Sequence, residues 1–249
     1  MEIGIIGFGK FGRFMAKHLK SKADVFVTSK YDNKKEADEI GVNFVSLEEI
    51  LKKKIIILAV SMEEFESAIQ KIKSSLLPGT LVLDVCSLKV FPCKAMQEFL
   101  PKNVEIIGTH PLFGPNSART SLEGLKIALC NVNASQNTLN KVKEVCESLG
   151  LKIIITTPEE HDRQMATSQA LTHFIGRSIS KSGIKKVELS TKTFDDLMNV
   201  SDIINNNADE LFESIETLNP YAGAVRKKFI ESSIELDNDL RDKENRKSK

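Results

Sequence analysis

The chain has 249 residues, 41% hydrophobic and 28% charged, as is ordinary for a globular protein of one large domain or two modest ones. Its formal net charge of +1 leaves no acidic or basic field that would favour nucleic acid or a membrane as partner. The sequence shows no signal peptide, no apolar run long enough to cross a bilayer, and no metal-like spacing of its four cysteines. We therefore expect a cytoplasmic protein with reduced thiols, no metal, and a small-molecule substrate.

The first predicted strand, Ile3–Ile6, leads into a glycine-rich loop and a helix that lasts to Leu19. The loop has GxGxxG spacing in the strand–loop–helix context that binds dinucleotides. There the first glycine makes a tight turn, the second lets a pyrophosphate approach, and the third packs helix on strand. The helix start, with its free amides and dipole, favours phosphate. The predicted cofactor-binding residues of this loop are Gly7, Phe8, Gly9, Lys10, Phe11 and Gly12.

The second predicted strand, Val25–Thr28, indicates which dinucleotide is bound. NAD enzymes usually place an acidic residue at this strand end to hold the ribose hydroxyls. Here the strand end offers Thr28, Ser29 and Lys30, which are neutral or basic and would accept a 2′-phosphate. The sequence therefore favours NADP. Asp32 in the following loop leaves NAD as the alternative cofactor.

Strands and helices continue to alternate to about residue 156. The unbroken apolarity of Ile55–Val60 is typical of a central strand buried on both faces, and Ser61 follows it at the expected cofactor position. The pattern predicts an α/β fold with an N-terminal Rossmann-like, doubly wound sheet over residues 1–156. The other predicted elements are strands at Val42–Val45, Thr80–Asp84, Lys126–Val132 and Lys152–Ile155, and helices from Leu47, to Leu77, and over Ser135–Leu149.

Two strand ends carry chemistry-bearing side chains. Ile106–Ala118 begins as an apolar strand, which we expect to stop at Thr109 and His110, before a loop stiffened by two prolines. Ligands of open α/β sheets bind at such ends, and a histidine held there is a candidate general base or acid. Ser87 follows the strand Thr80–Asp84, although on its own it is better explained as a cap of a helix that begins at Leu88.

From Pro158 onward the sequence predicts helices only. An apolar stripe runs along the first, with Gln169, Thr172 and His173 on or beside it, and a histidine in such a stripe is more often a core residue than a catalytic one. Further helices are predicted at Phe194–Leu218 and Tyr221–Leu240, before a charged tail, 241–249, expected to be disordered. We expect an all-helical domain over 157–249 that packs on a second subunit, because it buries little alone.

Several of these motifs together resemble the prephenate/arogenate dehydrogenases of tyrosine biosynthesis, and they are most similar to the plant-type branch. The resemblance covers about residues 2–215. The motifs that carry it are GFGKFG (7–12), DVCSLK (84–89), GTHPLFGP (108–115), EEHD (159–162), Ser168-Gln169 with Thr172-His173, and Thr191-Lys192.

The resemblance implies oxidative decarboxylation of a cyclohexadienol. The C4 hydroxyl loses its proton, C4 gives a hydride to nicotinamide, CO2 leaves, and the ring becomes aromatic. By motif, His110 takes the proton, and Ser87 hydrogen-bonds the same hydroxyl and orients the nicotinamide. His161 is expected to orient or support the site, His18 to face solvent, and the helical domain to form a homodimer. The implied substrate-binding residues are Thr109, Gln169, Thr172, His173, Thr191, Lys192 and Asn207.

Two departures from the family pattern bear on the substrate. No arginine matches the one with which many bacterial members bind a substrate carboxylate, so Thr191, Lys192 and Gln169 are taken as substitutes. Plant-type arogenate enzymes carry an acidic residue where Asn207 aligns. A neutral Asn207 stabilises the arogenate ammonium less and so favours prephenate, while Asp209, two residues on, keeps an arogenate-specific enzyme as the alternative.

Two other functions fit parts of the sequence. A β-hydroxyacid dehydrogenase would use a lysine of the helical domain, such as Lys181 or Lys192, but the sequence around His110 argues against it. A non-catalytic NADP-binding regulatory protein would keep the fold and lose the chemistry, yet both Ser87 and His110 are present.

Overall fold

The structure is a computed structural model that describes residues 1–115, 118 and 121–247. The described residues form eight strands, eleven α-helices and one π-helical turn. The strands are β1 (Glu2–Ile6), β2 (Asp24–Thr28), β3 (Asn43–Phe44), β4 (Ile55–Leu58), β5 (Leu81–Asp84), β6 (Glu105–Pro111), β7 (Lys126–Asn131) and β8 (Lys152–Ile155). The helices are α1 (Lys10–Leu19), α2 (Lys34–Ile40), α3 (Leu47–Ile50), α4 (Met62–Ile72), α5 (Val90–Phe99), α6 (Gln136–Ser148), α7 (Pro158–Met165), α8 (Leu171–Lys181), α9 (Lys192–Asn205), α10 (Asp209–Thr217) and α11 (Ala222–Lys247).

The strands make one sheet in the order β3-β2-β1-β4-β5-β6-β7-β8. The paired strands are parallel except β6 and β7, which run antiparallel. The chain order reverses direction across the sheet between β1 and β4, which is the topological switch point of a doubly wound fold. The sheet and the helices that follow it confirm the predicted fold class.

Neighbouring residues of the central strands supply two separate cores. Ile56 and Val82 pack in a cluster with apolar residues of α4 and α5. Ile57 and Leu83 belong to another cluster, with residues of α1 and α6. Because successive side chains of a strand point to opposite faces, both faces of the sheet are covered, which explains the unbroken apolar runs in the sequence.

One strand differs from its predicted extent in a way that matters for the site. The structure extends β6 to Pro111, whereas the sequence predicts that it stops at Thr109 and His110. His110 pairs with Ala128 of β7 and Pro111 with Ile127. The parallel partner β5 pairs with β6 only as far as Gly108, whereas the antiparallel partner β7 pairs with it as far as Pro111. His110 therefore lies on strand backbone and not in a loop.

Contacts divide the chain into a unit Met1–His161 and a unit Asp162–Lys249, so the first unit ends after the predicted residue 156. Within the second unit, the predicted single helix Phe194–Leu218 is wrong, since α9 and α10 are separated by residues 206–208. Three successive asparagines, of low helix propensity, lie at the break. Nor are residues 241–247 a disordered tail, because they continue α11; residues 248–249 lie outside the described part.

Two absences hold for the described residues. Among them no helix is both long and apolar enough to cross a membrane, and no group of three or more His, Cys, Asp or Glu side chains could hold a metal ion. All four cysteines are buried, and no disulfide joins any of them within the described residues.

Candidate active site

The candidate site of the first unit lies where the parallel strands end. Ile6, Leu58, Asp84 and Gly108 are neighbours across β1, β4, β5 and β6. The residues that follow them therefore share the carboxyl edge of the sheet, the usual ligand edge of such folds.

Packing requires glycine at two positions of the glycine-rich loop at this edge. Gly7 has φ +104°, and a Cβ there would lie 2.3 Å from the carbonyl oxygen of Ala59. A Cβ on Gly12 would lie 2.1 Å from the carbonyl oxygen of Gly7. Backbone cannot yield to such contacts cheaply, so these two glycines allow the turn and seat α1 against the sheet.

The middle glycine has a different environment. A Cβ on Gly9 would meet no atom within 4 Å, so this position opens to unoccupied space at the start of α1. The helix has no side-chain cap and no acidic residue in its first turn. Its first amides and positive dipole end therefore fit a dinucleotide pyrophosphate. Phe8 is buried beneath the loop, Lys10 is exposed and Phe11 is half-buried.

The end of β2 holds the residues predicted to choose the dinucleotide. Thr28 is buried and its carbonyl accepts from the amide of Gly7, while the Ser29 hydroxyl accepts from the amide of Tyr31. Lys30 is exposed, with its ammonium 3.5 Å from the Glu64 carboxylate. The Asp32 carboxylate accepts from the amide of Lys34 at the start of α2. Asp32 is thus used locally as a helix-start acceptor.

Ser61 and Ser87 each follow the end of a central strand. Ser61 is exposed and precedes α4, and its side chain makes no capping bond. The half-buried Ser87 hydroxyl has no hydrogen-bond partner among the described residues, and α5 begins at Val90, after an N-cap at Lys89. The interpretation of Ser87 as a helix cap is therefore wrong, and both hydroxyls remain available to a ligand.

A buried ion pair stands behind these strand ends. Lys89 and Asp84 are completely buried and paired with each other, and the Lys89 ammonium also donates to the carbonyl of Thr109 over 2.6 Å. The Asp84 carboxylate accepts from the amides of Cys86 (2.9 Å) and Thr109 (3.2 Å). Burial alone would lower the pKa of Lys89, but the Asp84 carboxylate raises it overall. The pair thus fixes the backbone on both sides of the edge, at 86 and at 109.

The buried imidazole of His110 contacts a second histidine. Its Nδ1 lies 2.9 Å from Nε2 of His161 on α7, and Nε2 of His110 has no partner among the described residues. Burial, then the neighbouring His161 and Lys89, hold the pKa of His110 well below its ordinary value of 6.5. His110 is therefore neutral at neutral pH, as a base must be before it accepts a proton.

The second unit has its own row of polar side chains. A π-helical turn, Ala166–Ala170, separates α7 from α8. Gln169, His173 and Arg177 follow at intervals of four residues, so they share one helix face. Each has a buried polar atom without a partner among the described residues: Oε1, Nδ1 and Nε, respectively. Burial and then Arg177 lower the pKa of His173. Thr172 donates instead to the Ser168 carbonyl.

Arg177 is the residue that sequence analysis missed. Its guanidinium lies 2.7 Å from the Asp209 carboxylate and donates to the carbonyl of Asn207 over 3.2 Å. The spacing of four from His173 is the available signal, whereas the family pattern places the expected arginine later in the chain, near Thr191. Arg177 and Asp209 line a basin of about 370 Å³ in the second unit.

Other predicted residues have local roles in the structure. Thr191 caps α9 by accepting from the amide of Phe194, and exposed Lys192 pairs with Asp196 one turn on. The prediction that His18 faces solvent is wrong, because it is half-buried with its ring 4.7 Å from that of Phe14. Residues 116 and 117 of the His110 stretch lie outside the described residues.

Comparisons with known proteins agree with this geometry. Residues 14–155 match the family model "Prephenate dehydrogenase, nucleotide-binding domain". The chain is 31% identical to "Arogenate dehydrogenase 2, chloroplastic" of Arabidopsis thaliana over 89% of its own length and 65% of that protein. It is 28% identical to "Probable arogenate/prephenate dehydrogenase" of Methanocaldococcus jannaschii, over 98% of its length and 58% of that protein.

A solved structure gives the same fold. The prephenate dehydrogenase from A. aeolicus, in complex with hydroxyphenyl propionate and NAD+, superposes with a TM-score of 0.77 at 20% identity, covering 98% of this chain and 92% of that one. The chain spans 65%, 37% and 58% of the lengths of the first three curated relatives it matches. With more than half of its residues matched to the family model, the chain belongs to the prephenate dehydrogenase family and contains its nucleotide-binding domain.

Proposed function

We propose that the chain is an NADP-dependent dehydrogenase that oxidatively decarboxylates prephenate, with arogenate as the alternative substrate. The observation that carries the proposal is a neutral, buried His110 with a free Nε2, held on the same sheet edge as Ser87 and the glycine loop. Family membership and the Arabidopsis and Methanocaldococcus relatives support the same reaction.

In the proposed mechanism His110 acts as general base. Nε2 of His110 takes the proton of the C4 hydroxyl, which requires that Nδ1 carries a proton and donates it to Nε2 of His161. Ser87 hydrogen-bonds the same hydroxyl and keeps the C4–H bond in line for transfer. The nicotinamide supplies the hydride acceptor when it is bound. As the hydride leaves C4, the ring carboxylate is lost as CO2, and its bonding electrons complete the aromatic ring. The phenolate oxygen then takes the proton back from Nε2 of His110.

Backbone geometry supports the proposed cofactor site. Gly9 and the start of α1 would hold the pyrophosphate, with Phe8, Lys10 and Phe11 around them. Thr28, Ser29 and Lys30 would receive the 2′-phosphate of NADP, and Ser61 would lie against the cofactor. The local use of Asp32 at the start of α2 supports NADP, because it leaves that carboxylate less free for ribose hydroxyls. The A. aeolicus protein is described with NAD+, so NAD is the competing cofactor.

The helical unit would supply substrate contacts. The unpartnered Nε of Arg177 and a protonated Nδ1 of His173 would donate to a substrate carboxylate and its neighbouring oxygens, and the unpartnered Oε1 of Gln169 would accept from a donor group of the substrate. Arg177 thereby replaces Lys192, which is exposed and paired with Asp196, as our preferred carboxylate-binding residue. Thr109, Thr172, Thr191 and Lys192 stay candidates from the family pattern.

One observation favours arogenate as the second candidate. The Arg177 guanidinium pairs with the Asp209 carboxylate and donates to the carbonyl of Asn207. A carboxylate therefore lies close to Asn207, the residue expected to set the substrate preference. An ammonium would gain from that carboxylate, whereas the keto group of prephenate would not.

The test follows reduced-cofactor absorbance with purified protein, offering prephenate and arogenate in turn, each with NADP and NAD. Prephenate with NADP should turn over fastest. His110→Asn should lower kcat by about 10²- to 10⁴-fold while NADP binding persists. Ser87→Ala should lower kcat as well, and Ser74→Ala, in an exposed turn, serves as its control. Absence of turnover with either substrate would leave a nucleotide-binding protein without this chemistry.

Cofactor choice has a separate test. Lys30→Ala should raise the KM for NADP about tenfold, the size of one charge-assisted contact to phosphate, with little change for NAD. Lys22→Ala, an exposed lysine elsewhere in the unit, is the control. Equal effects on both cofactors would remove Lys30 from the 2′-phosphate site.

We also propose a homodimer through the helical unit. Its long helix α11 exposes a stripe at helical spacing, with Phe229, Leu236 and Leu240 between 37% and 61% exposed. Such a stripe is unfavourable in water unless it packs against another surface. Sedimentation equilibrium should give twice the mass of the chain, and Leu236→Glu should restore a monomer. The cytoplasmic location stays a prediction.

A further inference from the structure

The first unit contains a long apolar cavity that reaches residues of the proposed reaction site only at Phe11 and Thr109. Its volume is about 570 Å³. The floor is formed by sheet residues such as Ile57, Leu83 and Ile127, one wall by Phe14 of α1, and the other by Val142 of α6. Most of the floor is buried, so the cavity is a deep slot and not a shallow surface patch.

The topology explains why this space is left between two helices. The helices that connect β3 to β6, namely α3, α4 and α5, contribute to the cluster on the other face of the sheet. On the face of the cavity, α1 follows β1 and α6 follows β7, so β4 and β5 between them have no helix of their own. An unfilled apolar space forfeits packing contacts, and an apolar ligand would supply them.

One mouth of the cavity is positively charged. It lies at the amino ends of the strands, where Lys52 and Lys54 precede β4 and Glu105 begins β6. The pKa of Glu105 is lowered overall. Burial raises it, but hydrogen bonds from Thr138 and Ser135 and the nearby ammonium of Lys141 on α6 together lower it more. The ammonium of Lys54 has no partner among the described residues.

The acidic groups at this mouth are already engaged. Glu105 accepts from the amide of Ser135 (2.7 Å) and the hydroxyl of Thr138 (2.6 Å). Glu2 lies 3.1 Å from the ammonium of Lys53, which is not itself a lining residue. Of the three lysines that line the cavity, Lys52 is paired with Glu49, so Lys54 and Lys141 are the cations that could meet a ligand at this mouth.

We propose that this cavity binds a linear apolar carboxylate, with the hydrocarbon chain along the sheet and the head group between Lys54 and Lys141. Both Glu105 and Pro111 line the cavity, so it follows the whole seven-residue β6, roughly 20 Å. The volume lies within the range of small-molecule sites, about 300–1,000 Å³. The head group would lie at the edge opposite the candidate active site.

The inner end of the cavity gives the ligand a route to influence the reaction. Thr109 lines it, and the same residue is bonded to Lys89 and Asp84 and precedes His110. A chain that reached this end would pack against the backbone that positions His110. Occupancy is therefore expected to change kcat through the backbone of Thr109.

The test is calorimetric titration of the full chain with dodecanoate below its micellar concentration. We expect one saturable site, with affinity that falls roughly fourfold for each CH₂ removed on going to decanoate and octanoate. Dodecan-1-ol should bind at least tenfold more weakly than dodecanoate, because it lacks the charge that the lysines meet. Equal affinity for acid and alcohol, or no saturable binding, would overturn the proposal.

Two variants separate the site from nonspecific binding. Val142→Phe should fill the slot and weaken dodecanoate at least tenfold, and an unchanged or raised Tm would show that the variant folds. The pair Lys54→Glu/Lys141→Glu should weaken dodecanoate at least tenfold, whereas the control pair Lys71→Glu/Lys143→Glu, which does not line the cavity, should leave it unchanged.

A second copy of the chain is the competing occupant. If sedimentation showed that Val142→Phe breaks a dimer and wild-type protein bound no dodecanoate, the cavity would be a subunit contact and the proposal would be wrong. Turnover of prephenate, measured without dodecanoate, tests the proposed reaction independently of this site.

Discussion

Nδ1 of His110 lies 2.9 Å from Nε2 of His161, and the two rings meet at 67°, nearly edge to face. The pair joins β6 to α7 within the first unit, across 51 residues of sequence. It gives His110 a fixed ring orientation and leaves its other nitrogen for chemistry. His161 is thus a positioning residue for the proposed base.

Replacement of His161 tests this role. His161→Leu should lower kcat about 10- to 100-fold, because the base loses its orientation, with little change in NADP binding. His161→Gln, which keeps a polar group near the same place, should recover most of the loss. An equal loss in both variants, together with a lower Tm in both, would indicate a purely structural residue.

The pH dependence provides an independent measurement of the same pair. The pKa of His110 is lowered, so kcat/KM should stay constant as pH falls through 6.5 and decline only at lower pH, where the base becomes protonated. His161 contributes to that lowering, so His161→Gln should raise the pKa of His110 and move the acid limb to higher pH. An acid limb at 6.5 in the wild-type protein would contradict the burial of the base.

The glycine loop offers a matched pair of substitutions. Gly9→Ala places its Cβ in open space, so it should leave Tm within about 2 °C of the wild type and still weaken NADP at least tenfold, because the methyl group occupies the proposed pyrophosphate position. Gly12→Ala should lower the free energy of unfolding itself, because its Cβ meets the Gly7 carbonyl. Thermal melts and cofactor titrations measure both. Normal NADP binding by Gly9→Ala would remove the pyrophosphate from this loop.

Removal of the buried lysine should be costly. Lys89→Met leaves the Asp84 carboxylate buried without its counter-charge and should lower the free energy of unfolding by about 3–5 kcal/mol in urea titrations. The double variant Asp84→Asn/Lys89→Met should recover part of this loss. Lys94→Met, exposed on the same helix α5, should change stability by less than about 0.5 kcal/mol.

Substrate preference should respond at position 207. Asn207→Asp adds a carboxylate beside the one already at Asp209, so kcat/KM for arogenate relative to prephenate should rise about tenfold, the value of one charge-assisted hydrogen bond. Asn206→Asp, on the neighbouring exposed residue, is the control. An unchanged ratio would place the ammonium elsewhere.

The sequence predicted the sheet and its ligand edge because unbroken apolar strands and a glycine loop are local signals. It did not predict the extension of β6 through His110, which depends on β7, nor the contact between His110 and His161, which depends on the fold. It placed Ser87 beyond a strand, where the local pattern alone favours a helix cap and only the family resemblance predicts a catalytic role, since a serine before a helix has the same pattern in either role. Arg177 was missed because only the folded unit shows that it donates to the carbonyl of Asn207 and pairs with Asp209.

The π-helical turn at Ala166–Ala170 has a consequence for how this helix can change in evolution. A π turn holds one more residue than the α-helical ladder requires, and each residue of an α-helix turns the chain by about 100°. The inserted residue therefore sets the direction in which the face of α8 with His173 and Arg177 points relative to the residues before the turn. A relative that lacked this residue would present a different face of α8 with almost the same sequence, so alignments across the turn should be read with a one-residue gap and not with a substitution.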